Sequence, residues 1–102
     1  MAEEITSLHN PRVKEAAKLR SGRGRTRQAR ILIDGQREVQ RALRAGVPFH
    51  EVFVCPGPSG EPSERELASW EAAGVPVFCV NSHVFSRLSY GDRDRGVVAV
   101  AQ

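Results

Sequence analysis

A chain of 102 residues has room for one hydrophobic core and not for two ordinary domains, which excludes a two-domain enzyme within it. Apolar residues make up 40% and charged residues 26%, with nine glycines and six prolines spread along the chain; this is the composition of a soluble globular domain, neither fibrous nor low-complexity. The net charge of +3 is unevenly placed, since residues 1–45 carry eleven Lys and Arg against five Asp and Glu, and residues 46–102 carry four against seven. A basic first part suits a polyanionic partner. No apolar run approaches the roughly 18 residues of a membrane span, and Met1-Ala2-Glu3-Glu4 is not a signal peptide, so a cytoplasmic protein with no membrane partner is expected.

Asn10-Pro11 sets a capping side chain before a proline whose missing N–H costs nothing at the first helical position, and a helix is predicted from Pro11 to about Arg20. Val13, Ala16 and Ala17 face inward at helical spacing, which leaves Arg12, Lys14, Lys18 and Arg20 to the flanks and the solvent side. Ser21-Gly22-Arg23-Gly24-Arg25-Thr26-Arg27 has two glycines and no apolar periodicity, and reads as a flexible basic loop that orders on a ligand. Ile31-Leu32-Ile33 suits a buried strand, ended by Asp34-Gly35, and a second helix follows with Val39, Ala42 and Leu43 inward until Gly46 and Pro48 stop it. Glu51 to Cys55 is a second strand, and Pro56-Gly57-Pro58-Ser59-Gly60 a turn-rich loop. Ser63-x-x-Glu66 is a capping box for a third helix burying Leu67 and Trp70, closed by Gly74 and Pro76. Val77 to Val80 is a third strand, Asn81-Ser82 caps a short helix through Val84, Phe85 and Leu88, and Val97 to Ala101 is a fourth strand.

Alternating strands and helices predict a three-layer α/β/α sandwich around a mixed four-stranded sheet. The basic helix and loop occupy about residues 1–30 and the α/β/α core about 31–102, all within one domain. Cys55 and Cys79 lack a metal-ligand pattern and are expected as buried free thiols; His9, His50 and His83 have no carboxylate or cysteine at ligand or triad spacing, so no metal site and no catalytic residue is assigned. Gly22-x-Gly24 follows a helix and lacks the third glycine of a dinucleotide fingerprint, so no cofactor is expected in this chain. The clustered cations are suited to phosphate, for which arginine offers a planar fork. Tyr90 and Phe49 are the few aromatic candidates for stacking on bases, so readout of shape and phosphate is expected.

Ile5-x-Ser7-x-x-Asn10-Pro11-x-Val13-Lys14, then Leu19 and a basic segment, Ile33-Asp34-Gly35-x-Arg37-x-Val39 with Ala42-Leu43-x-x-Gly46, and Leu88-Ser89 before Gly96-Val97-Val98-Ala99-Val100 together resemble the N-terminal substrate-binding domain of the SpoU/TrmH-type RNA 2′-O-ribose methyltransferases of the SPOUT superfamily. The resemblance spans nearly the whole chain. It implies a fold similar to kink-turn-binding ribosomal proteins, and a domain that grips structured RNA, ribosomal RNA foremost, and presents a ribose 2′-hydroxyl to a separate knotted domain. That domain binds S-adenosylmethionine, makes the homodimer of the parent protein, and is not contained in this chain, which is expected to be inactive alone.

Asn10, Arg12 and Lys14 match the first family motif and Gly35 with Arg37 the second, so the resemblance gives these an RNA-binding role; Lys18, Arg23, Arg25 and Arg27 join them on charge. Asn10 is also a helix cap and Gly35 a strand-to-helix turn. Asp34 stands where the family usually has Glu, and Asp94-Arg95-Gly96 where it commonly has Pro-Gln-Gly, so Arg93 and Arg95 are either substrate contacts or members of a charge-paired surface loop with Asp92 and Asp94. The alternative function is a stand-alone structured-RNA-binding module in ribosome assembly; a protein–protein docking domain is a third reading.

Overall fold

A computed structural model of the chain describes residues 3–55, 64–89 and 96–102. In chain order the elements are β1 (Glu3–Ile5), α1 (Pro11–Ala17), a 3-10 turn (Lys18–Arg20), α2 (Gly22–Gln28), β2 (Ile31–Asp34), α3 (Gln36–Arg44), β3 (Phe49–Cys55), α4 (Glu64–Ala72), β4 (Val77–Val80), α5 (Ser82–Leu88) and β5 (Gly96–Ala101). The strands form one mixed sheet in the order β1-β4-β3-β5-β2, in which β5 runs antiparallel to both its neighbours and the β3–β4 and β4–β1 pairs are parallel.

The strands have the period of two that a sheet buried on both faces requires. Leu32, Phe53, Cys55, Phe78, Val80, Val98 and Val100 point into one cluster with Val13, Ala16 and Leu19 from α1 and the 3-10 turn, and with Val84, Phe85 and Leu88 from α5. Their neighbours Ile33, Val52, Val54, Val77, Cys79, Val97 and Ala99 point into a second cluster with Val39 and Leu43 of α3 and Leu67 and Trp70 of α4. A bulge interrupts the period once: Phe49 pairs with Ala101 and Glu51 with Val100, so His50 is an extra residue in β3. Its insertion turns Phe49 to the α3 side and leaves Glu51 on the α1 side.

Four features differ from the sequence expectations. The sheet has five strands rather than four, because Glu3–Ile5, whose one apolar residue is Ile5, adds to β4 through main-chain bonds. The helix expected over residues 11–20 is α-helical only to Ala17 and tightens to 3-10 geometry over Lys18–Arg20. The segment expected as a flexible basic loop is helix α2. Strand β2, expected to be buried, is a sheet edge on which Ile31 is 43% exposed. Two of the expected caps form at α1 and α5: the side chains of Asn10 and Asn81 accept from the N–H of Arg12 and Val84. Gly46 (φ 80°) and Gly74 (φ 75°) follow α3 and α4 in the left-handed region. The expected loop Pro56–Gly60, Ser63 of the capping box, Tyr90 and the Asp92–Arg95 segment lie outside the described residues.

Candidate nucleic-acid interface

The cationic side is built from α1 outward. Val13 and Ala16 are buried, which fixes the rotation of α1 and leaves Arg12, Lys14 and Lys18 exposed. Leu19, fully buried, pins the 3-10 turn to the sheet, and the turn re-aims the chain into α2. Helix α2 has no apolar side chain to bury; it is held by backbone and caps. Ser21 Oγ accepts from Gly24 N–H (3.1 Å) and donates to the Lys18 carbonyl (3.1 Å). Gly24 lies directly against that carbonyl, where a Cβ would collide with it. Arg25 turns back to donate to the Leu19 carbonyl (3.1 Å), and Gln28 donates to the Glu15 carbonyl (2.9 Å), so α2 is tied to both α1 and the turn. Arg23 and Arg27, four residues apart, are exposed together on one helix face.

Between the residues leading into α1, α1 itself and α5 lies a groove of about 790 Å³, walled by Leu8, His9, Val13 and Lys14 and rimmed by Arg20 and Arg87. Among the described residues its lining includes no carboxylate. Arg20 donates to the Arg87 carbonyl at 3.3 Å, which links the end of the 3-10 turn to α5. At its margin Lys18 pairs with Glu15 (2.9 Å); the hydrogen bond and then the charge of Lys18 hold the Glu15 carboxyl below the usual carboxylate range, with Arg27 adding its charge and slight desolvation opposing. A smaller cleft of about 360 Å³ beside Arg12, Arg30 and His50 also contains Glu15 and Glu51, so its charge is mixed.

The residues singled out from sequence fall into three groups. Lys14, Lys18, Arg23 and Arg27 are exposed along α1 and α2, whereas Arg25 is partly buried in its bond to Leu19. Asn10 caps α1, and Arg12 donates to Glu51 Oε1 at 3.2 Å while its guanidinium carbon lies 4.6 Å from the Phe78 ring centroid. Gly35 and Arg37 stand apart from these, where α3 packs on the other sheet face. Gly35 is buried at φ 120°, with its N–H on the Val97 carbonyl (2.9 Å), a conformation suited to glycine; Arg37 is exposed. Arg93 and Arg95 lie outside the described residues.

Sequence reasoning passed over several cations. Arg41 and Arg44 share one exposed face of α3 with the already named Arg37, a stripe readable from their spacing of four and three. Arg87 carried no sequence signal, because only the packing of α5 beside α1 brings it to the groove. Among the described residues no three His, Cys, Asp or Glu side chains converge as a metal site, and no helix is long and apolar enough to cross a membrane.

A mixed five-stranded sheet with helices on its faces and a cationic side defines an α/β domain with a surface complementary to a polyanion. Residues 10–99 match the family model of the MRM3-like substrate binding domain, and the chain belongs to that family. Similar solved structures include an RNA 2′-O ribose methyltransferase, 37% identical with a TM-score of 0.77 over 97% of this chain and 37% of that one. An rRNA methyltransferase from Sinorhizobium meliloti is 28% identical with a TM-score of 0.80 over 99% of this chain and 37% of that one, and has also been solved with AdoMet bound. The SpoU methyltransferase AviRb from Streptomyces viridochromogenes, in complex with AdoMet, shares the fold at 20% identity and a TM-score of 0.66 over 91% of this chain and 33% of that one. The chain thus spans about a third of the length of these structures. No curated protein matches it.

Proposed function

We propose that the chain, residues 1–102 as one domain, is the RNA-gripping part of an S-adenosylmethionine-dependent RNA 2′-O-ribose methyltransferase. The observation that carries this reading is a cationic side, α1 through α2, on a domain of the substrate-binding family. Exposed Lys14, Arg23 and Arg27 meet phosphates, Lys18 and Arg12 share their charge with Glu15 and Glu51, and Arg25 and Asn10 hold the surface in shape. Gly35 with Arg37 extends the contact beyond that side, and Arg93 and Arg95 are assigned to RNA binding on their charge.

The RNA is structured, and ribosomal RNA is the class that fits, as in the rRNA methyltransferase similar to this chain. The three-layer layout, supported by helices in both apolar clusters, is akin to that of kink-turn-binding ribosomal proteins. S-adenosylmethionine is not expected in the larger groove, whose described lining has cations and no carboxylate, a poor seat for a sulfonium. The cofactor belongs to the remainder of the parent, which dimerises through that part and works in the cytoplasm.

The test is fluorescence anisotropy of the chain with a folded ribosomal RNA fragment and with a single strand of equal length, at two salt concentrations. Tighter, salt-sensitive binding of the folded RNA is expected, with no methyl transfer when S-adenosylmethionine is added to the chain alone. Binding indistinguishable from background at low salt overturns the reading and favours a protein-docking role.

A further inference from the structure

The groove between α1 and α5 has a composition that phosphate contact alone does not require. Its described lining combines aliphatic Leu8 and Val13, the cations Lys14, Arg20 and Arg87, and one aromatic side chain, that of exposed His9. Its volume of about 790 Å³ is in the range of sites that enclose small organic groups, roughly 300–1,000 Å³. A fully paired RNA helix presents sugars and phosphates to a protein and would leave an aliphatic floor wet, whereas an unpaired nucleotide brings a flat apolar face together with the phosphates on either side of it. We propose that this groove takes one unpaired nucleotide of the bound RNA, its base stacked on His9 over Leu8 and Val13 and its flanking phosphates on Lys14 and the Arg20–Arg87 pair. This rests on the RNA-binding reading above.

Among the described residues the lining has cations of two kinds and no carboxylate, which suits a polyanion. Arg20 is fixed at the rim by its bond to the Arg87 carbonyl, and a guanidinium that spends one N–H in this way retains four for phosphate oxygens. His9 is held by its main chain, with its N–H on Ser7 Oγ at 3.1 Å, so the imidazole can be exchanged without loss of that bond. Stacking, expected from sequence to be minor because Tyr90 and Phe49 were the available rings, falls instead to a histidine. Phe49 is packed against the second apolar cluster.

The experiment compares two RNA hairpins, one fully paired and one with a single bulged 2-aminopurine, bound to the wild-type chain and to His9→Ala, His9→Phe and Arg87→Ala. The expected result is about tenfold tighter binding of the bulged hairpin, in line with base–aromatic stacking energies, with a change of 2-aminopurine fluorescence on binding. His9→Ala brings the affinity ratio towards one and removes the fluorescence change, and His9→Phe retains both. Arg87→Ala weakens binding of the bulged hairpin. Equal affinity of the wild type for both hairpins, or a ratio unmoved by His9→Ala, overturns the proposal and leaves the RNA-binding reading in place. Failure to bind either hairpin at low salt overturns both.

Discussion

Arg12 of α1 and Glu51 of β3, 39 residues apart in sequence, meet at 3.2 Å on the first-cluster face of the sheet. Glu51 lies beneath α1 by the regular alternation it shares with Phe53, while the bulge at His50 turns Phe49 the other way. The Glu51 side chain is 6% exposed and that of Arg12 is 48% exposed, so the carboxylate carries most of the desolvation cost. Arg12→Ala is therefore expected to cost about 1–3 kcal/mol, discounted from the cost of breaking a fully buried pair because Arg12 is half in water. Arg12→Ala with Glu51→Leu is expected to recover part of that loss. Urea unfolding of the wild type and the two variants measures it; equal stability of Arg12→Ala and wild type would mean that Glu51 does not need its partner.

Gly24 makes the second specific claim on the fold. Its Cβ would collide with the Lys18 carbonyl oxygen, a backbone atom that cannot rotate away. Gly24→Ala is expected to push α2 off the 3-10 turn and to destabilise the chain by about 1–3 kcal/mol, the usual scale of overpacking, despite alanine's higher helix propensity. Gly22→Ala, whose Cβ would meet at closest the tip of the flexible Arg25 side chain at 3.6 Å, is expected to be neutral or mildly stabilising. Thermal unfolding of the pair checks this, and a stabilising Gly24→Ala would contradict the packing described.

Ala29 closes α2 in the left-handed region, at φ 56° and ψ 42°, where a Cβ is strained. Ala29→Gly is expected to stabilise the chain by about 1 kcal/mol through relief of that strain. A rise in the urea midpoint with unchanged slope is the expected signature; a fall would show that alanine's lower unfolded-state entropy matters more.

The strands and most helices could be read because side chains write them: the period of two in Val97–Val100, the Asn10-Pro11 and Asn81 caps, and the glycine stops at Gly46 and Gly74 are local signals. Helix α2 could not be read in this way. Its stability comes from Ser21 bonds, the absence of a Cβ at Gly24 and the return of Arg25 to Leu19, none of which leaves an apolar pattern. Strand β1 is set by its pairing partner β4 rather than by its own Glu-Glu-Ile. Of the candidate site, the cations of α1 and the second segment were legible as charge. Their division into exposed Lys14, Arg23 and Arg27 and internally committed Arg12 and Arg25 depends on long-range packing, and the groove depends on α5 lying beside α1.

Cys79 lies partly buried between β4 neighbours, and burial first, then the nearby Glu4 charge, push its thiol above the usual range. A raised value means less thiolate at a given pH, so alkylation of Cys79 in a Cys55→Ser background is expected to be slower than that of free cysteine at pH 8. The rate should continue to rise with pH after free cysteine has levelled off. Iodoacetamide kinetics across pH 7–10 test this, and a rate profile that levels with free cysteine would contradict it.

Whether the exposed cations of α1 and α2 meet RNA phosphates is read from the salt dependence of binding to a folded ribosomal RNA fragment for the wild type and for Arg23→Ala/Arg27→Ala. Arg25 is left in place because it supports the Leu19 carbonyl. At about 0.7 to 0.9 per neutralised phosphate, removal of two contacts is expected to flatten the log–log slope by roughly 1.4 to 1.8 with the folded structure intact by circular dichroism. An unchanged slope in the folded double variant would place the RNA elsewhere on the domain and contradict the account.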